Sequence, residues 1–454
     1  ALHFLMQYER LTFREAIEIL AKRVGIDIPV YKDNTSSSLI TQIYKVNELA
    51  CLFYIQRLKE NKEIINYLLK RGIKWETLQE FKIGYAPSDP EPLMNYLREK
   101  SFSLSLLEKA GLIVTKDNGG YCDRFRNRII FPIFDIKSRV IGFGGRILPS
   151  EENKFAKYIN SPETEVYIKG RNLYGLNFSK EAIRDLDSVV IVEGYLDFII
   201  PYQEGIRNIV ASLGTAFTPE QARLLKRYTQ NIIVVFDGDE AGELAVLRSL
   251  DTFIENELNV RVVILPTGFD PDTFVRKFGK EKFKELMVNA QSFFDYKLET
   301  LRKRFNFSQP EEKAMATAEM LISIKKIKNA ILRAEYIKRL SEKIGVSEQF
   351  IREELNKIKE EPSYNLLSEV HKEQFLNIPA VEKLFLRLVL EGEEFIINAK
   401  DKISPSDFQD ERISKIVSVI FELLEDGKLP EHQRLINYFE EPVLSQIVCQ
   451  TLFT

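Results

Sequence analysis

Three acidic motifs follow predicted strands, and their carboxylates could hold a divalent cation. They are Glu193-Gly194-Tyr195-Leu196-Asp197, Asp237-Gly238-Asp239 and Asp270-Pro271-Asp272. An extended backbone would point Asp237 and Asp239 to the same side, because successive side chains of a strand alternate between faces. Carboxylates that lie within a few Å repel each other, and a bound cation relieves that repulsion. Mg²⁺ binds through few carboxylates plus waters and phosphates, and a pair of such ions can activate a hydroxyl and stabilise a leaving pyrophosphate.

Each motif also has an ordinary structural interpretation. Asp-Gly is a common turn pair, and acidic residues after strands often cap helix N-termini. For Asp270 and Asp272 alone, the two interpretations are equally good, and for one isolated Glu-Gly or Asp-Gly-Asp the structural one is better. Three acidic strand ends in order on one sheet favour a shared cation site, because ligands of parallel α/β sheets bind outside the carboxyl ends of the strands.

The elements that must position these carboxylates are apolar runs that alternate with helical stretches from Ser188 onward. The runs read SVVIVEG, RNIVASLG, NIIVVFDGD and VRVVILPTG, and helices are predicted between them at 195–204, 219–229 and 240–258. Nearly continuous Val and Ile indicate strands buried on both faces, which is typical of a parallel sheet. Strands that alternate with helices predict βαβ units with right-handed crossovers.

A basic, glycine-bearing segment precedes this sheet. RIIFPIFD and RVIGFGGRIL are β-rich runs at a hairpin-like spacing, and the stretch 121–171 has ten Lys/Arg against six Asp/Glu. Arginines at 124, 126 and 128 would line one strand face with guanidinium groups suited to phosphates. Nearby aromatic residues could stack bases; they are Phe125, Phe143 and Tyr158. For this segment alone, a solvated strand face above a phenylalanine core is the better interpretation.

Composition limits the function classes. The chain has 454 residues, of which 44% are hydrophobic and 29% charged, and its net charge is −3. Nucleic-acid binding would therefore need a local basic surface. Three cysteines and three histidines are scattered without metal spacing, so a protein metal site would have to use carboxylates. We find no apolar run long enough for a bilayer and no signal-peptide pattern, so we expect a cytoplasmic protein.

In their order along the chain and in their residue identities, these motifs resemble those of bacterial DnaG-type DNA primases. EGYLD, SLGTA, FDGDEAG and DPD resemble their Toprim domain, which also occurs in topoisomerases and some nucleases. RFRNRIIFPI, VIGFGGR, KYINSPET and KGRNLYGL resemble the primase amino-terminal catalytic subdomain, so the match runs from about Tyr121 to Asp272. FLMQYERLTFREAIEILAKRVGI resembles the segment that closes the family's zinc-ribbon domain. The zinc ligands of that domain would lie upstream, and this chain does not contain them.

The resemblance implies an α/β fold class: an α+β amino-terminal lobe plus a Toprim-like parallel α/β sheet, followed by an all-α carboxy-terminal region. The expected domains are the end of the zinc-ribbon-associated domain and a linker at 1–38, the amino-terminal lobe of the RNA polymerase domain at 39–187, the Toprim domain at 188–275, a helical bundle that completes the polymerase core at 276–360, and a helicase-binding domain at 366–454.

The resemblance further implies a primase, a DNA-directed RNA polymerase that makes short RNA primers on single-stranded DNA by two-metal nucleotidyl transfer. The implied metal ligands are Asp237 and Asp239 for Mg²⁺ (with Mn²⁺ as the alternative), Glu193 as a further ligand or proton relay, and Asp197, Asp270 and Asp272 for a second ion. The implied template and nucleotide groove consists of Arg124, Arg126, Arg128, Arg146, Lys157 and Asn160, with Lys157 also a catalytic candidate.

The expected partners are single-stranded DNA, NTPs, the RNA primer and a DnaB-type replicative helicase that binds the carboxy-terminal region, at the replication fork and without a membrane. Two other classes stay open. A Toprim nuclease or topoisomerase would use the same carboxylates. A topoisomerase also needs a nucleophilic tyrosine and a gate domain, and no segment of the sequence has a pattern that indicates either. The other class is a non-catalytic helicase-docking adaptor, which the intact EGYLD and DGD motifs disfavour.

Overall fold

The structure, a computed structural model, describes residues 36–116, 119–149, 155–214, 217–236, 251–358, 378–391, 402–425, 444 and 447. The chain forms two compact units, Ala1–Lys357 and Ile358–Thr454. Most of the predicted segment 1–38 lies outside the described residues, as do Asp237, Asp239 and the predicted boundary at 361–365. Among the described helices, none is long and apolar enough to cross a membrane.

Helices open the amino-terminal lobe. They are α1 (Ser36–Glu60), α2 (Lys62–Lys70), α3 (Trp75–Glu80), α4 (Pro92–Glu99) and α5 (Leu104–Lys109). Asn61 starts α2, because its side chain accepts a hydrogen bond from the N–H of Ile64 (3.1 Å). Asp123 fixes the start of α4 in the same way, by accepting from the N–H groups of Leu93 (2.8 Å) and Met94 (2.9 Å). Burial raises the pKa of Asp123 to about 6.

An antiparallel sheet forms the centre of this lobe. Its strands are β1 (Gly84–Ala86), β4 (Arg128–Phe134), β5 (Val140–Ile147) and β6 (Tyr158–Asn160), in the order β1-β4-β5-β6, and β2 (Ile113–Thr115) pairs with β3 (Tyr121–Asp123) in a separate ribbon. The predicted hairpin is the pair β4 and β5. Its turn is closed by Asp135, whose side chain accepts from the N–H groups of Lys137 and Arg139 (2.9 Å each).

The predicted parallel sheet is confirmed. Its strands are β7 (Val189–Val192), β8 (Ile209–Ala211), β9 (Asn231–Phe236) and β10 (Asn259–Ile264), with a short antiparallel edge strand β11 (Gln291–Ser292), in the order β11-β10-β9-β7-β8. The helices around it are α6 (Leu176–Asp185), α7 (Tyr195–Gln203), α8 (Pro219–Lys226) and α9 (Pro271–Val288). Strand residues are buried on both sides of the sheet, in two apolar clusters, as their Val and Ile content predicts.

Helices complete the first unit, as predicted for the chain after Phe274. They are α10 (Phe293–Arg304), α11 (Pro310–Lys325), α12 (Ala330–Ile344) and α13 (Glu348–Lys357), here called the bundle. The second unit contains α14 (Ala380–Glu391) and α15 (Glu411–Glu425), which pack through an apolar cluster that includes Leu386, Ile416 and Ile420. The fold class expected from the sequence is therefore confirmed.

Candidate active site at the carboxyl edge of the parallel sheet

Three strands end side by side where the acidic motifs follow them. In the parallel register, Ile191 of β7 lies beside Val234 of β9, and Phe236 of β9 lies beside Ile264 of β10. The N–H of Leu265 also donates to the carbonyl of Phe236 (3.1 Å). Glu193 thus follows β7 at the edge of the sheet where β9 also ends. The last residue of β9, Phe236, directly precedes Asp237 in the sequence. The strand that leads to Asp237 and Asp239 lies between the strands that lead to Glu193 and Asp270.

Glu193 is the acidic residue that directly follows β7 at this edge. Among the described residues, no basic side chain pairs with its carboxylate, and partial burial raises its pKa. Its backbone is held from the neighbouring strand, because the N–H of Leu213 donates to the carbonyl of Glu193 (2.9 Å). Leu213 has a φ of +62°, a conformation that costs energy for a branched side chain. The SLGTA motif therefore begins with a tight turn against the acidic strand end.

Asp197 and Asp270 both begin helices. Asp197 accepts a hydrogen bond from the N–H of Gly194 (3.0 Å) at the start of α7. Asp270 accepts one from the N–H of Thr273 (2.7 Å) at the start of α9. These two residues thus do cap helix N-termini, and their contribution to a second ion stays a prediction.

The sequence suggests that the Asp272 carboxylate is open to a cation, but the structure places it among basic side chains. Its side chain is 1% exposed, and its oxygens pair with Arg276 Nε (2.7 Å) and Arg71 Nη2 (2.7 Å). Burial raises the pKa of Asp272, although both arginines act to lower it. A buried carboxylate that is already neutralised by two guanidinium groups has little need of a cation. As placed, Asp272 joins the end of α2 to α9, so its role as a metal ligand is disfavoured.

Sequence reasoning missed Arg71 and Arg276. The spacing of Asp272 and Arg276, four residues apart on one helix, is a signal that could have found one of them. Arg71 comes from a different lobe, at the C-cap of α2, and nothing in the local sequence predicts that contact.

Tyr195 ties the acidic edge to the antiparallel sheet of the amino-terminal lobe. Its hydroxyl donates to Asn160 Oδ1 (2.7 Å), and its ring stacks on Phe131 with 4.9 Å between centroids. A Cβ atom at position 144 would overlap the Tyr195 hydroxyl, so only glycine fits there. Gly144 of the VIGFGGR motif is therefore needed because Tyr195 of the EGYLD motif occupies the space that a larger side chain would fill.

Arg146, Tyr158 and Asn160 share the sheet face that Tyr195 contacts. Arg146 pairs with Tyr158 in the β5–β6 register, and Gly144 pairs with Asn160. The guanidinium carbon of Arg146 lies 5.5 Å from the centre of the Tyr158 ring, and Nη1 donates to the tyrosine hydroxyl (3.3 Å). Burial raises the pKa of Tyr158 to about 12. Lys157 directly precedes β6 and is exposed.

The prediction of three arginines on one strand face is wrong. Arg124 and Arg126 lie in the loop between β3 and β4, and only Arg128 belongs to a strand. Arg128 pairs with Ile147, whereas Arg146 pairs with Ile129, so these two arginines lie on opposite faces of the sheet. Arg128 is 6% exposed and donates to the carbonyls of Gly145 (3.2 Å) and Ala156 (2.9 Å). It stabilises the backbone rather than facing an open groove.

The aromatic part of that prediction is also mostly wrong. Phe125 and Phe143 are 1% and 0% exposed, because α1 covers this side of the sheet. Tyr54 of α1 packs edge-to-face on Phe143, with 5.5 Å between centroids. Of the three candidates, Tyr158 alone is not fully buried. Arg124 is half-buried, which lowers its pKa, and Arg126 is exposed and donates to Cys122 Sγ (3.4 Å).

The donor set fits a hard divalent cation. Carboxylate oxygens follow neighbouring strand ends, and Glu193 is partly desolvated without a described cationic partner, which is a condition that a bound cation would relieve. Within the part of the chain that the structure describes, no three metal-ligating side chains converge. Asp237 and Asp239, which would complete such a group, lie outside that part.

Comparison with known proteins shows where similar sequences occur. Residues 53–180 match the family model "DNA primase catalytic core, N-terminal domain", residues 190–275 match "Toprim-like", and residues 294–349 match "DnaB-helicase binding domain of primase". The DNA primase of Clostridium acetobutylicum is 38% identical over 92% of this chain and 71% of its own length. That of Aquifex aeolicus is 32% identical over 96% and 86%. That of Halalkalibacterium halodurans is 35% identical, and this chain covers 60% of it.

Solved structures agree with these sequence matches. A DNA primase domain from Pseudomonas aeruginosa has 37% identity and a TM-score of 0.63, and the match covers 69% of this chain and 99% of that one. A DnaG primase catalytic domain bound to single-stranded DNA has 36% identity and a TM-score of 0.61, over 67% and 99%. The helicase-binding model lies on the bundle, upstream of the 366–454 segment for which the sequence suggested that function.

Glu193→Gln tests whether this carboxylate is a cation ligand. The substitution should weaken Mn²⁺ binding roughly tenfold or more, measured by electron paramagnetic resonance titration, and should not lower the thermal stability of the metal-free protein. The pKa of Glu193 is raised in the folded state, so its charge costs stability once the pH rises through that pKa. The wild type should therefore lose stability relative to Glu193→Gln as the pH rises from below the usual glutamate pKa through the raised one.

Because the pKa of Glu193 is raised, acidification should begin to weaken Mn²⁺ binding at a higher pH than it would if the ligand were a glutamate with an ordinary pKa. Glu220→Gln, which removes an exposed carboxylate at the start of α8, is the matched control. Equal Mn²⁺ affinity in the wild type and Glu193→Gln would exclude Glu193 as a ligand.

Proposed function

This chain belongs to the bacterial DnaG-type DNA primase family, and we propose that it synthesises short RNA primers on single-stranded DNA by metal-dependent nucleotidyl transfer. Members of the family are DNA-directed RNA polymerases. The observation that carries the proposal is the alignment of three strand ends, each followed by an acidic motif, at one edge of the parallel sheet. The proposed ion is Mg²⁺, with Mn²⁺ as the alternative, because the candidate ligands are all carboxylates.

In this proposal, Asp237, Asp239 and Glu193 bind the ion at the strand ends. The bound ion would neutralise charge on the reacting phosphates and favour ionisation of the attacking hydroxyl. The 3′-oxygen of the primer forms a bond to the α-phosphorus of the incoming NTP, and the bond from that phosphorus to the bridging oxygen breaks to release pyrophosphate. The hydroxyl proton passes to water, or to Glu193 in the alternative in which this carboxylate relays a proton in place of binding the ion.

The template and the triphosphate are proposed to bind beside this edge, on the sheet face that carries Tyr158 and Asn160, which are partly exposed. Arg146 is 7% exposed and supports Tyr158 on the same face. Lys157 is exposed at the start of the same strand, and a lysine of this kind contacts phosphates without reading sequence. A similar primase catalytic domain has been solved with single-stranded DNA bound, which supports a nucleic-acid groove in this chain. Work at the replication fork in the cytoplasm is part of the same proposal.

The alternative classes are less well supported. A Toprim nuclease or topoisomerase would share the Toprim-like match, but the match to the primase amino-terminal domain at 53–180 favours a primase. A helicase-docking adaptor without catalysis would have no use for a carboxylate at the edge of the sheet that lacks a described cationic partner, as Glu193 does.

Replacement of Asp237 or Asp239 by Ala should abolish primer synthesis while the protein stays folded. Removal of one charge from a crowded carboxylate cluster relieves repulsion, so thermal stability should be unchanged or higher. The assay supplies single-stranded DNA, NTPs and Mg²⁺ and detects short RNA, and circular dichroism verifies the fold. Near-normal synthesis by either variant at saturating Mg²⁺ would refute the metal assignment.

Lys157→Ala should weaken single-stranded DNA binding without loss of stability, because the side chain is exposed. One lost phosphate contact should reduce the slope of log affinity against log salt concentration by about 0.7. Lys59→Ala, an exposed lysine on α1 of the same lobe, is the control and should leave the slope unchanged. Equal slopes and equal NTP KM values in both variants would mean that Lys157 lies outside the groove.

A chain that ends at Lys357 should keep template-dependent synthesis, because the first compact unit contains the bundle and both sheets. Loss of synthesis through unfolding would show that the second unit belongs to the catalytic fold. The same variant locates the helicase contact. A retained response to a DnaB-type helicase supports the bundle, where the family model matches, whereas a lost response supports the 366–454 segment.

A further inference from the structure

Aromatic and basic side chains lie together at the start of α9, next to the acidic motif that follows β10. The rings of Phe269, Phe274 and Phe278 have centroids 4.9 to 6.1 Å apart. Lys277 Nζ lies 4.8 Å from the centre of the Phe269 ring and 5.3 Å from the centre of the Phe278 ring. Phe269 directly precedes Asp270, the residue that caps α9. Phe269, Lys277 and Phe278 are called here the Phe278 patch.

Core packing accounts for one of the three rings. Phe274 is 5% exposed and belongs to an apolar cluster of the sheet. Phe278 is 43% exposed, and Phe269 is partly exposed. Directly after Phe278 the helix is broken by Gly279, which has a φ of +83° and a ψ of 166°, a conformation that residues with a Cβ atom rarely adopt. Two neighbouring exposed rings at such a fixed position indicate a binding surface.

The positive charge beside these rings has no acidic partner in the part of the chain that the structure describes. Further along α9, by contrast, Lys282 pairs with Glu285 and Lys284 pairs with Glu281. A lysine that is held only over the faces of exposed rings is held weakly, so the ammonium group of Lys277 is available to a phosphate. Rings that stack bases beside a cation that binds phosphates are the combination by which proteins bind single-stranded nucleic acid.

Basic residues connect the patch to the face of β5 and β6 on which the template is proposed to bind. Arg276, next to Lys277, pairs with Asp272 (2.7 Å), whose other partner is Arg71 (2.7 Å). Burial is the main cause of the raised pKa of Tyr158, and the charge of Arg71 is among those that act to lower it, so Arg71 lies close to that face. A strand bound at Tyr158 could therefore continue past these arginines to Lys277.

We propose that the Phe278 patch binds unpaired nucleotides of a single strand beside the acidic edge, with bases stacked on Phe269 and Phe278 and a phosphate bound by Lys277. The proposal rests on the proposed function, because it takes nucleic acid as the substrate and extends its groove. The strand is the DNA template or the RNA primer, since every base has a face that can stack. Base-paired nucleotides would not bind in this way, because both of their faces are already stacked in the duplex.

The test measures the affinity of the full chain for oligothymidylate, oligouridylate and a blunt DNA duplex by fluorescence anisotropy. Phe278→Leu keeps an apolar side chain but removes the aromatic face, and Phe278→Tyr restores that face. Phe350→Leu is the matched control, because Phe350 is 63% exposed on α13 and no described lysine lies over its ring. Lys277→Gln changes an exposed side chain and serves if Phe278→Leu does not fold. Lys157→Ala reports on the proposed groove.

Phe278→Leu should weaken binding of oligothymidylate, oligouridylate or both by roughly 5-fold or more, the loss expected when one base no longer stacks. Phe278→Tyr and Phe350→Leu should bind them like the wild type, and Phe278→Leu should bind the blunt duplex like the wild type. A loss with oligothymidylate alone identifies the template as the strand, and a loss with oligouridylate alone identifies the primer. Lys277→Gln should reduce the slope of log affinity against log salt concentration by about 0.7.

Wild-type affinity of folded Phe278→Leu for both single strands would overturn the proposal and leave the patch to a protein partner, and so would an equal loss with the blunt duplex. If Phe278→Leu does not fold, an unchanged salt slope in Lys277→Gln overturns it. Weaker binding by Lys157→Ala in the same experiment would show that the proposed groove stands without the patch. If the wild type binds neither single strand, the proposed function fails, and the patch fails with it.

Discussion

The parallel register of β10, β9 and β7 is the constraint on which the rest of the candidate site depends. Backbone hydrogen bonds fix Phe236 beside Ile264 and Ile191 beside Val234, so the strands end at one level. Glu193, which directly follows β7, therefore lies at the same edge as the ends of β9 and β10. Carboxylates brought together at such an edge need a cation or a proton, and partial burial already raises the pKa of Glu193 there.

Tyr195 joins the antiparallel sheet to this edge. Tyr195 comes two residues after Glu193 and reaches the face of β5 and β6, where Gly144 leaves room for its ring and Asn160 Oδ1 accepts a hydrogen bond from its hydroxyl. The EGYLD motif therefore combines a carboxylate without a described cationic partner, a glycine cap, a tyrosine that contacts the antiparallel sheet, and a capping aspartate. A substitution at Tyr195 would disturb the groove face and the acidic edge together.

The sequence was sufficient to predict the strands and helices, but not the face of a strand on which each side chain lies. Val and Ile runs predicted all four parallel strands, because burial on both sides of a sheet restricts composition strongly. Arg124, Arg126 and Arg128 show the limit, since alternation predicts a face only where the chain is extended, and the strand begins at Arg128. Asp272 and Lys297 show another limit. Their partners Arg71 and Asp251 are remote in sequence, and a single sequence carries no signal for such a pair.

The most direct measurement is a crystal structure of the protein with Mn²⁺, in which anomalous scattering locates the ion. We predict an ion at the ends of β7 and β9, at roughly 2.0–2.3 Å from a Glu193 carboxylate oxygen and from the oxygens of Asp237 or Asp239. Asp272 should stay paired with Arg71 and Arg276. Mn²⁺ bound without Glu193, or bound to an Asp272 that has left its two arginines, would contradict this account of the site.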